Sequence, residues 1–328
     1  MTIRVLSLFD GISGARQALK ELNVDCFYFA SEIDKWAIQV AKANHPDIEH
    51  IGDVRAVRSF GYEAGMRHCQ ITGRTMNWVS ESNIDLLIGG SPCQDLSIAN
   101  KERKGLQGER SGLFYEYLRI LNDTRPKYFV LENVASMAKS AKETITKELF
   151  GIEPVMINSA LVTAQQRKRL YWVGKLVDGK YQQVKIEQPE DQKIYLKDII
   201  EDLPDCPIGI KVREKSKCIR VGGRNSPFGS KQEWDSPFQR VSKKGIVKKG
   251  IEKASCLTGG GNSGGNHSDM DLIHSPFATR RYSETECCRL QGFPDNHVSM
   301  VSKTQGYKAM GNGFTVPVIK HILKNILI

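Results

Sequence analysis

The chain has 328 residues, a formal net charge of +10, 40% hydrophobic residues and 26% charged residues. This composition is typical of globular proteins and excludes collagen-like, coiled-coil and wholly disordered chains. No apolar run approaches the ~18 residues of a membrane span, and the N-terminus lacks the pattern of a signal peptide. We therefore expect a cytoplasmic protein. The eight cysteines form no C-x-x-C pair and no zinc-ligand spacing, which predicts reduced thiols and no metal site.

The first half of the chain alternates strand-like and helical patterns. Apolar runs predict strands at 3–9, 26–31, 50–54, 85–88, 128–131, 155–161 and 170–174. Amphipathic patterns predict helices at 15–22, 35–44, 113–121 and 138–149. This alternation indicates an α/β fold with a parallel sheet, covered by helices, that binds ligands at the carboxyl ends of its strands.

The pattern changes after residue 176, where helical periodicity fades and Gly, Ser, Pro and Lys increase. Helices are predicted again at 283–291 and 316–327. We therefore predict a catalytic domain over 1–176, a smaller, loop-rich domain over 177–276, and a return to the first domain over 277–328. Because only 1–6 precede the first motif, we expect no attached regulatory domain.

A basic segment lies within the loop-rich part. Residues 209–255 hold thirteen Lys or Arg against four Asp or Glu, including Arg240, Lys243, Lys244, Lys248 and Lys249. Such a density favours a polyanion such as nucleic acid, although a solvated lysine-rich surface gives the same pattern.

Three acidic or glycine-rich positions follow the first three predicted strands. The turn after the first strand contains Phe9, Gly11, Ser13 and Gly14, which indicates either a ligand cradle or a tight turn. Glu32 follows the second strand and lies 18 residues after Gly14 in the sequence. An acid at about this separation from the glycine turn accepts ribose hydroxyls in dinucleotide-binding folds. Since Asp53 ends the third strand, the three features together predict an adenosine pocket.

Reactive side chains follow the later strands. Pro92 pushes the residue before it to an extended conformation, so Cys93 leaves the sheet at the ligand-binding rim. This placement favours a nucleophile over a core thiol. Glu132 also ends a strand and either donates a proton or caps the next helix. Arg167 and Arg169 are two apart, and we expect both to project to one face, where they fix a carboxylate, phosphate or thiolate, unless they form a surface turn.

In this order, the motifs resemble those of the DNA (cytosine-5) methyltransferases over nearly the whole chain. The matching segments are FDGISG (9–14), Glu32–Ile33, Gly52–Val54, SPCQ (91–94), RSGLF (110–114), Glu132–Val134, QxRxR (165–169), ECCRLQGFPD (286–295) and GYKAMGNGFTV (306–316). The chain departs from the bacterial pattern at Ser7 and Ser13, where relatives usually carry Asp and Gly.

The resemblance implies a Rossmann-like sheet that binds S-adenosyl-L-methionine and releases S-adenosyl-L-homocysteine, with a target-recognition domain over 177–276. The cofactor contacts it implies are Phe9, Gly11, Ser13, Gly14, Glu32, Ile33, Asp53, Val54, Pro92, Leu113 and Asn312. It also implies a covalent nucleophile at Cys93 whose pKa Arg167 lowers, a proton donor at Glu132, and Arg169 holding that carboxyl.

The implied substrate is a cytosine flipped out of duplex DNA. The expected DNA contacts are Gln94, Ser97, Arg240, Lys243, Lys244, Lys248, Lys249, Thr258, Gly259 and Gly260. A monomer and a partner restriction endonuclease are expected. The same chemistry on tRNA, a catalytically silent DNA-binding relative and a nicotinamide enzyme are alternatives. The Ser-Pro-Cys turn disfavours the tRNA enzyme, and the complete catalytic set disfavours the silent relative. The imperfect glycine spacing disfavours the nicotinamide enzyme.

Overall fold

The computed structural model describes residues 2–57, 84–91, 112–201 and 279–328, together with 216–217, 231–232, 238–241, 247–248, 253–254, 256 and 272–274. The chain folds into two compact units. The first comprises Met1–Asn158, Lys168–Gln188 and Val318–Ile328, and the second comprises Ser159–Arg167 and Pro189–Pro317. The functional domain boundaries predicted at 176/177 and 276/277 stay predictions.

A central sheet organises the first unit. Its strands are β1 (Ile3–Leu8), β2 (Cys26–Ser31), β3 (Glu49–His50), β4 (Leu86–Gly90), β5 (Tyr128–Val134), β6 (Val155–Asn158), β7 (Lys168–Val177) and β8 (Lys180–Gln183). In the described part of the chain their order is β3-β2-β1-β4-β5-β7-β6, and β8 pairs with β7. From β1 the chain continues to β2 and β3 on one side, and β4 then pairs with the other side of β1. The topological switch point therefore lies between β1 and β4.

The predicted parallel sheet is correct only for part of these strands. β3, β2, β1, β4 and β5 pair in parallel, whereas β7 is antiparallel to β5, β6 and β8. A parallel crossover needs a dozen or more residues. The segment 159–167 between β6 and β7 is shorter than that and holds only a 3₁₀ turn, Ser159–Leu161. The chain therefore reverses direction there.

Helices cover the sheet: α1 (Gly14–Glu21), α2 (Lys35–Asn44), α3 (Leu113–Thr124) and α4 (Lys139–Glu148). Helix α2 begins where the Asp34 side chain accepts a hydrogen bond from the Trp36 N–H at 2.9 Å. Helix α3 buries Phe114, Ile120 and Leu121 in the main apolar core. Burial of each such side chain contributes ~1.5–3 kcal/mol to the free energy of folding. The apolar face of an amphipathic pattern supplies these side chains, so the pattern predicts the helix.

The predicted third strand is shorter than expected. Only Glu49 and His50 pair with β2, and Val54–Ala56 forms a 3₁₀ turn. The Asp53 carboxylate accepts from the Arg55 N–H at 2.9 Å and thereby caps this turn. A capped turn competes with strand pairing, because the cap satisfies a backbone donor locally.

The second unit contains short strands and three helices in its described part. These are α5 (Leu196–Ile199), β9 (Ser216–Lys217), β10 (Lys231–Gln232), β11 (Phe238–Val241), β12 (Val247–Lys248), β13 (Leu272–His274), β14 (Thr279–Arg281), α6 (Glu284–Gln291) and α7 (Lys303–Asn312). β9 pairs with β10, and β12-β11-β13-β14 form an antiparallel sheet. A capping box of Ser283 and Glu286 begins α6, and left-handed Gly292 ends it.

The last helix, α8 (Val316–Leu327), was predicted with these bounds, whereas β8, α5 and α7 were not predicted. Within the described ranges, no helix is long and apolar enough to cross a membrane. The same ranges hold no group of three or more His, Cys, Asp or Glu that could bind a metal ion.

Gly174 provides a test of how tightly β5 and β7 pack. It lies opposite Phe129, and a Cβ atom at this position would lie 2.2 Å from Phe129 Cε1 and 2.9 Å from Ile152 Cδ1. We expect Gly174→Ala to lower the free energy of unfolding by about 1–3 kcal/mol in urea denaturation, because overpacking forces neighbours to move. In a Phe129→Leu background the ring is absent and the cost should fall. An equal cost in both backgrounds contradicts this account.

Candidate active site

The register of the parallel strands aligns four carboxyl ends at one rim of the first unit's sheet. Leu8 lies beside Ser31 on one side and Gly89 on the other, and Gly90 lies beside Glu132. Neighbouring strands are about 4.8 Å apart, so the segments that leave these strands begin close together. Candidate residues from distant parts of the sequence therefore share one rim.

The turn after β1 has an unusual backbone. Phe9, Gly11 and Ser13 have φ of 57°, 60° and 61°, all in the left-handed region. This region is uncommon for residues with a side chain, and such conformations cluster at functional sites. A Cβ atom on Gly11 would meet no atom within 4 Å, so space is open beside the turn.

Glu32 joins this turn to the end of β2. Its Oε2 accepts from the Gly11 N–H at 2.8 Å, and its Oε1 accepts from the N–H groups of Ile33 and Asp34 at 2.7 and 2.8 Å. A carboxylate offers about four acceptor positions, so one more hydroxyl can bind. The Ile33 side chain beside it is 70% exposed. An acid that can accept a ribose hydroxyl and an exposed apolar surface thus adjoin the open turn, as an adenosyl group requires.

Asp10 forms a buried polar cluster beneath the same turn. Its Oδ1 accepts from the Tyr28 hydroxyl at 2.6 Å, and its Oδ2 accepts from the Ser13 hydroxyl at 2.5 Å. Burial raises the pKa of Asp10, and the nearby Glu32 charge adds to this shift, although hydrogen bonds from the Ser13, Ser7 and Tyr28 hydroxyls oppose it. Asp10 lies within FDGISG, but nothing in that motif singled it out, and Tyr28 lies eighteen residues away and matches no motif.

Asp53 and Val54 lie on the 3₁₀ turn after β3. The Arg55 guanidinium contacts the Asp53 carboxylate at 2.6 Å, and this hydrogen bonding lowers the pKa of Asp53. Val54 is buried, and the Arg119 guanidinium of α3 donates to the carbonyls of Val54 and Val57 at 3.3 and 2.7 Å. The turn is therefore fixed to α3, whose first residue is Leu113. The contact between Asp53 and an adenine amino group stays a prediction.

Ser91 is the last described residue before the Pro-Cys turn. The Asn133 Nδ2 donates to Ser91 Oγ at 3.1 Å, and Asn133 Oδ1 accepts from the Val134 N–H at 2.8 Å. Both Ser91 and Asn133 are buried. The second residue of the Glu-Asn-Val motif therefore anchors the start of the predicted nucleophile turn. Pro92, Cys93, Gln94 and Ser97 lie outside the described residues.

Glu132 and Arg169 form an ion pair across β5 and β7. The Arg169 Nε lies 2.9 Å from Glu132 Oε1, and the two side chains are 15% and 13% exposed. Arg169 pairs in register with Val134, two residues beyond Glu132, so the contact is diagonal on one face of the sheet. A guanidinium oriented by two strands fixes the position of this carboxylate at the rim.

Arg167 has different surroundings from Arg169. It is buried in the second unit and donates to the carbonyls of Gly311 and Gly313 at 3.2 and 3.0 Å and to the Cys256 Sγ at 3.3 Å. Arg167 directly precedes β7, and the expectation that it shares a face with Arg169 stays a prediction. Its effect on the pKa of Cys93 stays a prediction.

Arg167 also supports another predicted residue. Asn312 is exposed at the end of α7, between the two glycines whose carbonyls Arg167 holds. Gln165, the first residue of the same motif, is buried and donates to the Leu290 carbonyl at 3.1 Å. Gln165 and Arg167 therefore fix the segments around 290 and 311–313 within the second unit.

The predicted DNA contacts are only sparsely described. Arg240 of β11 and Lys248 of β12 lie opposite each other in antiparallel register. The others, all in segments the structure does not describe, are Gln94, Ser97, Lys243, Lys244, Lys249, Thr258, Gly259 and Gly260.

Comparisons with known proteins agree with this geometry. The family model for C-5 cytosine-specific DNA methylase matches residues 3–327. The chain is 28% identical to Type II methyltransferase M1.ScrFI of Lactococcus lactis subsp. cremoris, over 99% of this chain and 78% of that protein. It is 25% identical to Type II methyltransferase M.HhaI of Haemophilus parahaemolyticus, over 99% and 94%. The solved Entamoeba histolytica methyltransferase EhMeth has the same fold, with a TM-score of 0.67 at 14% identity over 99% of this chain and 98% of that one.

Asn133 provides a test of how the rim is held. We expect Asn133→Ala to lower the free energy of unfolding by about 1–3 kcal/mol, because the buried Ser91 hydroxyl and the Val134 N–H lose these partners. Asn325→Ala is the matched control, since the exposed Asn325 Nδ2 donates to the His321 carbonyl within α8 at 2.8 Å. The control should cost about 0.5 kcal/mol or less in the same urea titration. Equal costs for the two variants contradict the anchoring role.

Proposed function

Because the chain belongs to the C-5 cytosine-specific DNA methylase family, we propose that it methylates C5 of a cytosine flipped out of a specific duplex DNA sequence, with S-adenosyl-L-methionine as methyl donor. The observation that carries the proposal is the shared rim of the first unit. There the open turn with Glu32 adjoins the end of β4, which immediately precedes Ser91, and next to β4 lies the Glu132–Arg169 pair.

The proposed cofactor contacts within the first unit are Phe9, Gly11, Ser13, Gly14, Glu32, Ile33, Asp53, Val54 and Leu113. The contacts at Pro92 and Asn312 stay predictions from the family resemblance. When bound, S-adenosyl-L-methionine supplies a methyl group on a positively charged sulfur and leaves as S-adenosyl-L-homocysteine. Glu32 holds the ribose and Ile33 covers the adenine. Leu8 and Gly89 are paired, so this pocket opens beside the strand that leads to the nucleophile.

Cytosine C5 is a weak nucleophile, and the residues of the rim overcome this. The Cys93 thiolate bonds to C6, and Glu132 donates a proton to N3, so that C5 becomes electron-rich and attacks the methyl group. Arg169 holds Glu132 and donates to the O2 of the base. Loss of the C5 proton to a base then expels the Cys93 thiolate and restores the aromatic ring, and N3 returns its proton to Glu132.

A base within a duplex cannot reach a thiol at this rim. Flipping costs a few kcal/mol, which contacts to the DNA backbone offset. The basic segment 209–255 supplies these contacts in our proposal. The Type II relatives further support a cognate restriction endonuclease as partner, and we propose a monomer that acts on DNA in the cytoplasm.

A mechanism-based trap tests the covalent step. Bisulfite sequencing of DNA from cells that express the chain first identifies the methylated sequence. A duplex with 5-fluorocytosine at that position should then form a denaturation-resistant adduct in the presence of S-adenosyl-L-methionine, because fluorine cannot leave as a proton does. Adduct formation should be lost in Cys93→Ser. It should persist in Cys26→Ser, because burial raises the pKa of Cys26 to about 11 and makes this thiol a poor nucleophile.

An adduct that persists in Cys93→Ser overturns the nucleophile assignment. Methyl incorporation into tRNA in place of duplex DNA overturns the proposed substrate.

Glu132→Gln tests the proton donor. The amide keeps the shape but cannot donate a carboxylic proton, so kcat should fall by roughly 10²–10⁴ while the affinity for S-adenosyl-L-homocysteine stays the same. Glu143→Gln is the control, because Glu143 is exposed on α4 beside Lys139. A parallel loss of kcat and cofactor affinity indicates a structural role for Glu132 instead.

A further inference from the structure

Asp10 carries no role in the reaction described above, yet it is an acid in the protein interior. Its side chain is 3% exposed, in the turn between β1 and α1. Burial of an ionisable group costs free energy unless its polar atoms are bonded. Both carboxyl oxygens are bonded here, one by Tyr28 and the other by Ser13. The chain thus maintains a costly group at the base of the proposed cofactor pocket.

Ser13 shows what this acid does to the turn. It occupies the N-cap position of α1, where a serine side chain ordinarily accepts a bond from the first turn of the helix. Its hydroxyl makes no such bond and donates to Asp10 Oδ2 instead, and its backbone is left-handed at φ 61° and ψ 42°. The Ser13 N–H also donates to the Asp10 carbonyl at 3.1 Å. Asp10 therefore stabilises a backbone conformation that serine rarely adopts.

Tyr28 fixes the other side of Asp10 to the sheet. It lies on β2 opposite Val5, and its ring is 1% exposed. Two further bonds join the turn to the end of β2 and to the residue after it: the Asp10 N–H donates to the Ser31 carbonyl at 3.2 Å, and the Gly11 N–H donates to Glu32. The turn is consequently held from beneath by Tyr28 and from the rim by Glu32.

From these contacts we propose that Asp10 is a positioning residue for the methyl donor. Its carboxyl locks the left-handed turn 9–13 against β2 through Tyr28 and Ser13, and this keeps the Gly11 N–H and Glu32 in the geometry that receives the adenosyl group. The inference rests on the proposed function and adds a residue to it. Asp10 acts through the turn, so its loss weakens cofactor binding without removing any group that reacts with cytosine.

The full-length chain and S-adenosyl-L-homocysteine as probe provide the test. Asp10→Ala leaves the Tyr28 and Ser13 hydroxyls without their acceptor, and calorimetry should show a Kd for the probe raised about tenfold or more. At saturating S-adenosyl-L-methionine, kcat should stay within about threefold of the wild type, because the reacting groups are intact. A merely structural role predicts no such separation between Kd and kcat.

Thr146→Val is the matched control for lost stability. Thr146 is buried in the same unit, and its hydroxyl accepts from Trp172 Nε1 at 3.0 Å, away from the turn. This variant should lower the Tm but leave the Kd for S-adenosyl-L-homocysteine within about twofold of the wild type.

Milder variants keep the inference testable where Asp10→Ala does not fold. Asp10→Asn retains one acceptor and should raise the Kd less than Asp10→Ala. Ser13→Gly drops the hydroxyl but tolerates the left-handed backbone, so it should bind the probe better than Ser13→Ala. Because the two residues act together, Ser13→Ala should cost less affinity in the Asp10→Asn background than alone.

Two results overturn the inference. One is wild-type affinity in both Asp10 variants, and the other is a loss in Asp10→Ala no larger than that of Thr146→Val. A wild-type chain that binds no S-adenosyl-L-homocysteine rejects the proposed function itself, and that failure is distinguishable because it precedes any comparison of variants.

Discussion

The parallel register of β2, β1, β4 and β5 is the constraint on which the rest of the first unit depends. Hydrogen bonding between the strands sets Leu8 beside Ser31 and Gly89, and Gly90 beside Glu132. A Cβ atom on Gly89 would lie 2.8 Å from the Leu8 carbonyl oxygen and 3.2 Å from the Tyr117 ring. The close pairing of β1 with β4 therefore requires glycine just before the predicted nucleophile turn.

Buried or half-buried polar side chains hold several of the segments that carry candidate site residues. Asn133 holds Ser91, and Asp10 holds the turn after β1. Arg169 holds Glu132, and in the second unit Arg167 holds the backbone around Asn312. Buried polar groups are tolerated only where partners satisfy them, so each of these side chains specifies one local conformation.

Arg167 and Arg169 illustrate what a motif can and cannot predict. The motif singles out both residues, and their spacing suggested a shared face. Only Arg169 lies on a strand, and it contacts Glu132 across β5 and β7. Arg167 lies before the strand, among carbonyls of residues 144 and 146 positions away in sequence. A separation of that size leaves no periodic signal, so its partners could not be predicted from the spacing.

The sequence by itself determined the α/β pattern of 1–176, most helices and strands, the family and the residue types required for methyl transfer. These features are local: apolar periodicity, glycine and proline at turns, and short motifs in a fixed order. The tertiary structure alone decided the antiparallel direction of β7, the partners of Arg167 and the joining of Asp10 to Tyr28. These depend on contacts between distant segments, and the free energy of such contacts is set by packing and by the satisfaction of buried polar groups once the chain has folded.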